Sequence, residues 1–134
     1  MNLIEEGENF RLYTWRSVAF CQVWSRPDVS AEDGSRFAAV LMNSLRFLLT
    51  DQDNQVPGIV FDIREAPAIS GPKTLALLGE GVMTWSLAGK NIVMLVIASE
   101  QRAQMEQLVT AYGNGRGVVH DDVEQALMSA RIIR

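Results

Sequence analysis

Two short runs, Gly58 to Ile63 (GIVFDI) and Asn91 to Ala98 (NIVMLVIA), constrain this chain more than any other feature. Each is nearly continuously apolar rather than alternating, the pattern of a strand covered on both faces. Between them, Ser70 to Lys90 is long enough for a crossover helix, with Leu75, Leu78, Val82 and Trp85 on its buried side. Two doubly covered strands joined by a helix read as a β-α-β unit and so as a parallel sheet. Gly79, Gly81 and Gly89 lower helix propensity in that segment, which predicts close packing or a bend.

The flanking sequence extends this unit on both sides. FRLYTW and VAFCQVW, over Phe10 to Trp24 with a break at Arg16-Ser17, predict an N-terminal hairpin. Val18, Phe20, Gln22 and Trp24 fall on one face of its second strand and Ala19, Cys21 and Val23 on the other, so Cys21 is read as a small core residue. Pro27-Asp28-Val29-Ser30 breaks the strand, and Ser30 with Asp33 resembles a capping box for a helix from Ala31 to about Thr50. Its apolar stripe is Phe37, Val40, Leu41, Leu45, Leu48 and Leu49. Downstream, Ser99 is expected to cap a helix to about Tyr112 with Met105, Leu108 and Val109 inward, and Gly113-Asn114-Gly115 ends it. A strand near Gly117 to His120 and a helix from Val123 to about Arg131, capped by Asp121 or Asp122, close the order β-β-α-β-α-β-α-β-α. The expected architecture is one α/β domain over residues 1–134: a mostly parallel or mixed sheet of about five strands, an N-terminal hairpin and about four helices. Residues 10–131 form its core and residues 1–9 a tail.

Composition narrows the partners. With 48% hydrophobic and 21% charged residues, the chain is too apolar for a disordered one. The apolar run from Ile92 to Ala98 falls far short of the roughly 20 residues of a membrane-spanning helix, and no basic, then apolar, leader opens the sequence. No stable membrane insertion and a cytoplasmic location are therefore expected. One cysteine and one histidine leave too few ligands for a zinc site of the usual kind, so neither metal nor other cofactor is expected. A net charge of −4 without a Lys/Arg cluster argues against nucleic acid.

Candidate chemistry is sparse. His120, the sole histidine, stands in no recognisable nucleophile motif and reads as a solvated or capping loop residue. Asp62 and Glu65 flank the end of the third strand, where a carboxylate pair can be imagined, although Asp62 can equally accept backbone N–H groups of the following turn. Gly113 to Gly117 (GNGRG) follows a helix and precedes a strand, the reverse of a phosphate loop, and is assigned to a helix cap and turn. Ala66 to Thr74 (APAISGPKT) is more informative. Pro72 suits the first turn of a helix, so Ser70 or Gly71 is its N-cap, which places the Ser70 hydroxyl near Lys73 at the positive end of a helix dipole. Ser70 can be a cap alone, or an anion-tolerant acceptor of a phosphate that adds about −1.5 to −2 charges.

Three stretches together resemble the STAS domain family, which includes anti-sigma-factor antagonists: Ile59-Val60-Phe61-Asp62-Ile63, like a central strand ending in Asp; Ile69-Ser70-Gly71 at the next helix start; and Val119 to Leu127 (VHDDVEQAL), like the closing strand and helix. The resemblance spans roughly Phe10 to Arg131 in element order. It implies a non-catalytic regulator docking an anti-sigma factor or kinase-like partner, with Ser70 matching the phosphoacceptor before Gly71. Ala68 and Ile69 replace the family's Asp and first hydroxyl residue, and Pro72 its apolar residue. Ser70, Gly71, Lys73 and Asp62 are thus the candidate partner-binding residues. Three alternatives stand beside this reading. One is a non-switching adaptor. Another is a homo-oligomer subunit, including an edge-to-edge homodimer through the hairpin opposed only by Arg11 and Arg16. The third is a carrier of a small apolar ligand or lipid, its pocket lined by Trp15, Trp24, Trp85, Tyr13 and Phe20.

Overall fold

The structure is a computed structural model that describes residues 1–25 and 31–132. Its sheet has six strands in the order of the chain: β1 (Asn2–Glu6), β2 (Phe10–Trp15), β3 (Val18–Trp24), β4 (Gly58–Glu65), β5 (Asn91–Leu95) and β6 (Gly117–His120). β1 to β3 pair antiparallel, and β3 to β6 are parallel neighbours. The five expected strands are all present. The sixth comes from residues 1–9, expected as a tail: Asn2–Glu6 pairs with β2, and only Ile4 packs against the core. β1 therefore occupies the outer edge of the hairpin, so an edge-to-edge dimer through β2 is not available.

Right-handed crossovers between parallel strands laid down in sequential order must all fall on one face. α1 (Ala31–Thr50), α2 (Pro72–Leu87) and α3 (Ser99–Tyr112) make those crossovers, and their buried residues share one cluster with Leu12, Cys21, Ile59, Phe61, Ile92 and Met94. α4 (Val123–Arg131) returns across the opposite face, where Ala126, Leu127 and Ala130 cover Val18, Phe20, Val60, Val93 and Leu95. Alternation along β3, β4 and β5 thus feeds two cores, as their continuous hydrophobicity requires.

Local details depart from expectation at several points. On α1, Leu41, Leu45 and Leu48 are buried as predicted, but Val40 is exposed and Met42 takes the inward position. The Pro27-Asp28-Val29-Ser30 break and the Ser30 cap lie outside the described residues, as do the side chains of Asp33 and Phe37. α2 buries Leu78, Val82 and Trp85, and its glycines serve close packing: a Cβ on Gly79 would sit 2.7 Å from the Tyr112 ring, and one on Gly81 would sit 2.9 Å from Met42 Sδ. Ser99 is the first residue of α3 rather than its cap. Asp122 caps α4, accepting from the Gln125 N–H at 2.9 Å.

The β2–β3 turn holds Arg16 and Ser17 at φ of 53° and 68°, as a two-residue turn matched to strand twist demands. Neither residue is glycine, and α4 compensates. The Arg131 guanidinium donates twice to the Arg16 carbonyl at 3.0 and 2.7 Å, and Arg16 donates to Glu124 at 3.0 Å. Beside Arg131, at the C-terminal end of α4, the Asn91 amide donates to the carbonyls of Ala130 and Ile132. The last helix is thereby pinned to both the hairpin and the start of β5.

Candidate functional site

Pro72 sets the first turn of α2, and the residue before it, Gly71, is the N-cap, with no side-chain hydrogen bond to the helix. Ser70 consequently stands one position too early to cap, and its hydroxyl has no hydrogen-bond partner among the described residues. The backbone of Ser70 is held firmly all the same. Its N–H donates to Gln104 Oε1 at 2.9 Å, and its carbonyl accepts from Gln104 Nε2 at 3.0 Å, so one side chain closes a reciprocal pair as a neighbouring strand would.

Three residues earlier on α3, Gln101 is buried and uses its whole amide. Its Oε1 accepts from the N–H groups of Ile97 and Ala98 at 3.0 and 3.2 Å, capping α3 in place of Ser99. Its Nε2 donates to the carbonyls of Ile63 and Ala66 at 2.8 and 3.2 Å. The loop between β4 and α2 is thus tied to the first turns of α3 at both of its ends. Sequence reasoning missed both glutamines, though Gln101 stands four residues before Met105 and seven before Leu108 on the inward stripe. A polar residue on an apolar stripe was the available signal.

Beneath this loop is a cleft of about 210 Å³. Val23, Trp24 and Ser25 at the end of β3, Ile63 near the end of β4, Leu41 and Met42 of α1, and Leu77 and Leu78 of α2 form its walls. Ile69, Ser70, Gly71 and Thr74 line its rim. It sits at the carboxyl ends of the parallel strands, where open α/β sheets place their ligands. Among the described residues that line it there is no Asp, Glu, Lys or Arg.

Of the candidate residues, Ser70 and Gly71 come together at this cleft, and Lys73 and Asp62 do not line it. Lys73 is exposed in the first turn of α2, without an ion pair among the described residues. Asp62 lies inside β4, flanked by Gln22 and Leu95, rather than at a strand end. It is buried and accepts from Arg64 Nε and Nη2, both at 2.9 Å, and from the Arg64 backbone N–H at 3.2 Å. That hydrogen-bonded carboxylate raises the Arg64 pKa above its usual value. Glu65 is exposed and accepts from Gln22, so the imagined carboxylate pair is not assembled.

The other residues singled out are dispersed. His120 ends β6, and its Nε2 is 2.8 Å from Ser129 Oγ of α4, tying strand to helix. Cys21 is fully buried, and desolvation pushes its thiol pKa far up, which keeps it protonated and inert. The aromatic residues line no common pocket: Trp85 belongs to the core under α2, whereas Tyr13 stacks on Phe20 on the α4 side and Trp24 borders the cleft. Among the described residues no helix is long and apolar enough to cross a membrane.

Four parallel strands in chain order, three crossovers on one face and a closing helix on the other make this a STAS-like α/β fold. The comparisons agree with that architecture. A crystal structure of an anti-sigma factor antagonist from Mycobacterium paratuberculosis matches with a TM-score of 0.55 and 14% identity, over 92% of this chain and 93% of that one. At that identity the likeness is one of fold. No protein-family model matches the chain, and no curated protein does.

Proposed function

We propose that this chain is a non-catalytic protein-interaction regulator of the anti-sigma-factor-antagonist kind, docking an anti-sigma factor or kinase-like partner through the Ser70 loop and the first turn of α2. The observation that carries the reading is the state of Ser70: its backbone is clamped by Gln104 while its hydroxyl is unengaged at the rim of an apolar cleft. A residue serving only as a helix cap would spend that hydroxyl on the helix. A phosphate there would meet the N-terminal end of α2, whose first turn holds no acidic residue and carries Lys73. Asp62 has a positioning part in this scheme, since its bonds to Arg64 fix the strand that leads into the loop.

The test is an affinity capture from the native cell, with wild-type chain and Ser70→Glu as baits and phosphosite mapping of the recovered wild type. An anti-sigma or kinase-like protein retained by wild type and released by Ser70→Glu is the expected result. If both baits retain the same proteins and Ser70 carries no phosphate, the switch is wrong and a constitutive adaptor takes its place.

A further inference from the structure

We infer that the cleft beside Ser70 is an anchor pocket for one compact apolar side chain, branched aliphatic or aromatic, presented by the protein partner. The inference rests on the docking role proposed for the Ser70 loop and adds what that loop recognises. Volume decides the class of occupant. At about 210 Å³ the cleft exceeds the roughly 150 Å³ void that holds a benzene molecule. It falls below the roughly 300 Å³ at which pockets for drug-sized ligands begin. An isobutyl, phenyl or indole group suits that space, and a long acyl chain or a nucleotide does not.

The lining points the same way. Leu41, Met42, Ile63 and Leu77 offer dispersion contacts, and among the described lining residues none is charged, so a charged ligand would find no counter-ion in them. The polar groups of the described lining include backbone, the hydroxyls of Ser25, Ser70 and Thr74, and the uncharged Asn9 amide, available to the main chain on either side of an inserted residue. An apolar pocket with a polar rim is the anatomy of an interface hot spot. The surface continues outward from it, because Ile69 is 67% exposed on the same loop. A free small molecule would leave that surface uncovered, whereas a peptide covers it. Phosphorylation at Ser70 would then set a dianion at the mouth of an apolar pocket and disfavour insertion through desolvation.

The test uses the full chain with methyl groups of Met, Ile, Leu and Val isotopically labelled for NMR. N-acetyl-tryptophanamide and N-acetyl-leucinamide serve as side-chain probes, N-acetyl-alaninamide as the short control, and decanoate as the acyl probe. Saturable millimolar shifts at Leu41, Met42, Ile63 and Leu77 are expected with the first two probes and not with the control. Filling the cleft by Ala66→Leu, or by Ala38→Leu from the α1 side, should weaken both probes at least tenfold. Absence of saturable shifts in the wild type, or shifts that persist unchanged in a folded filled variant, overturns the inference. Decanoate binding more tightly than either amide also overturns it and makes the chain an apolar-ligand carrier. The two proposals fail separately: probe binding with a bait insensitive to Ser70→Glu leaves the pocket and removes the switch, and the reverse outcome does the opposite.

Discussion

Gln101→Leu isolates what holds the candidate loop in place, because leucine keeps the approximate bulk and removes all four hydrogen bonds of the amide. The Ile63 carbonyl loses its shorter, buried donor and keeps the Ala66 N–H at 3.0 Å, so this bond is worth about 1.5 kcal/mol. The contacts to Ala66, Ile97 and Ala98 are only partly buried, so water replaces much of each, leaving about 0.5 kcal/mol apiece. About 3 kcal/mol is therefore expected, against a total of roughly 5–15 kcal/mol for a domain of this kind. The protein remains folded, and with an m-value of about 1.5 kcal/mol/M its urea midpoint falls by about 2 M. Hydrogen exchange of the Ile97 and Ala98 amides should quicken in the native state. Gln101→Glu sharpens the test, since a carboxylate keeps the two acceptor roles and faces the Ile63 and Ala66 carbonyls without a proton to offer. Its folded-state pKa is raised, so its contribution is present below the ordinary glutamate value of about 4.3 and is lost as pH rises through the folded value. A Gln101→Leu midpoint within about 0.3 M of wild type would refute the clamp.

Gly58→Ala should cost about 2–3 kcal/mol, or roughly 10 °C in Tm, because the new methyl would meet the Ala130 carbonyl and lie 2.7 Å from the Asn91 carbonyl, both rigid backbone; an unchanged melting curve would show that α4 yields freely. Alkaline pH should destabilise the fold through Cys21. The thiol ionises near its ordinary value of 9.0 when unfolded and stays protonated when folded, so stability falls by about 1.4 kcal/mol per pH unit above pH 9. Cys21→Ala should remove that slope between pH 9 and 10, and identical slopes in the two proteins would contradict the assignment. Deleting residues 1–6 bares the β2 edge that β1 covers, and sedimentation should show association rising with concentration beyond wild type; a monomer throughout would mean the edge is protected otherwise.

The β-α-β unit was legible because Ile59, Phe61, Ile92 and Met94 serve one core while Val60, Val93 and Leu95 serve the other, which leaves few polar residues in either run. Strand ends were less so. β4 runs on to Glu65 because its backbone still pairs with Trp24 of β3 past an irregularity in the register, and β5 stops at Leu95 although Val96 is still buried. β1 escaped notice because backbone pairing, rather than an apolar pattern, holds it to the sheet. At the candidate site, Ser70 was found, but the capping role open to it belongs to Gly71, because Pro72 fixes the helix start. Gln101 and Gln104 act through side-chain hydrogen bonds to backbone groups 34 to 38 residues away, and apolar periodicity carries no trace of such bonds.

Strand order that equals chain order also has a bearing on synthesis. Each strand can join the growing sheet as it leaves the ribosome, beside a neighbour already in place, with only one crossover loop to close at each step. The exception is the final helix, whose Arg131 must reach back to Arg16 across 115 residues. Until it docks, Val18, Phe20, Val60, Val93 and Leu95 form an open apolar wall. The nascent chain therefore stays open to aggregation on this face until α4 has emerged, and a chain truncated before Val123 would keep that exposure permanently.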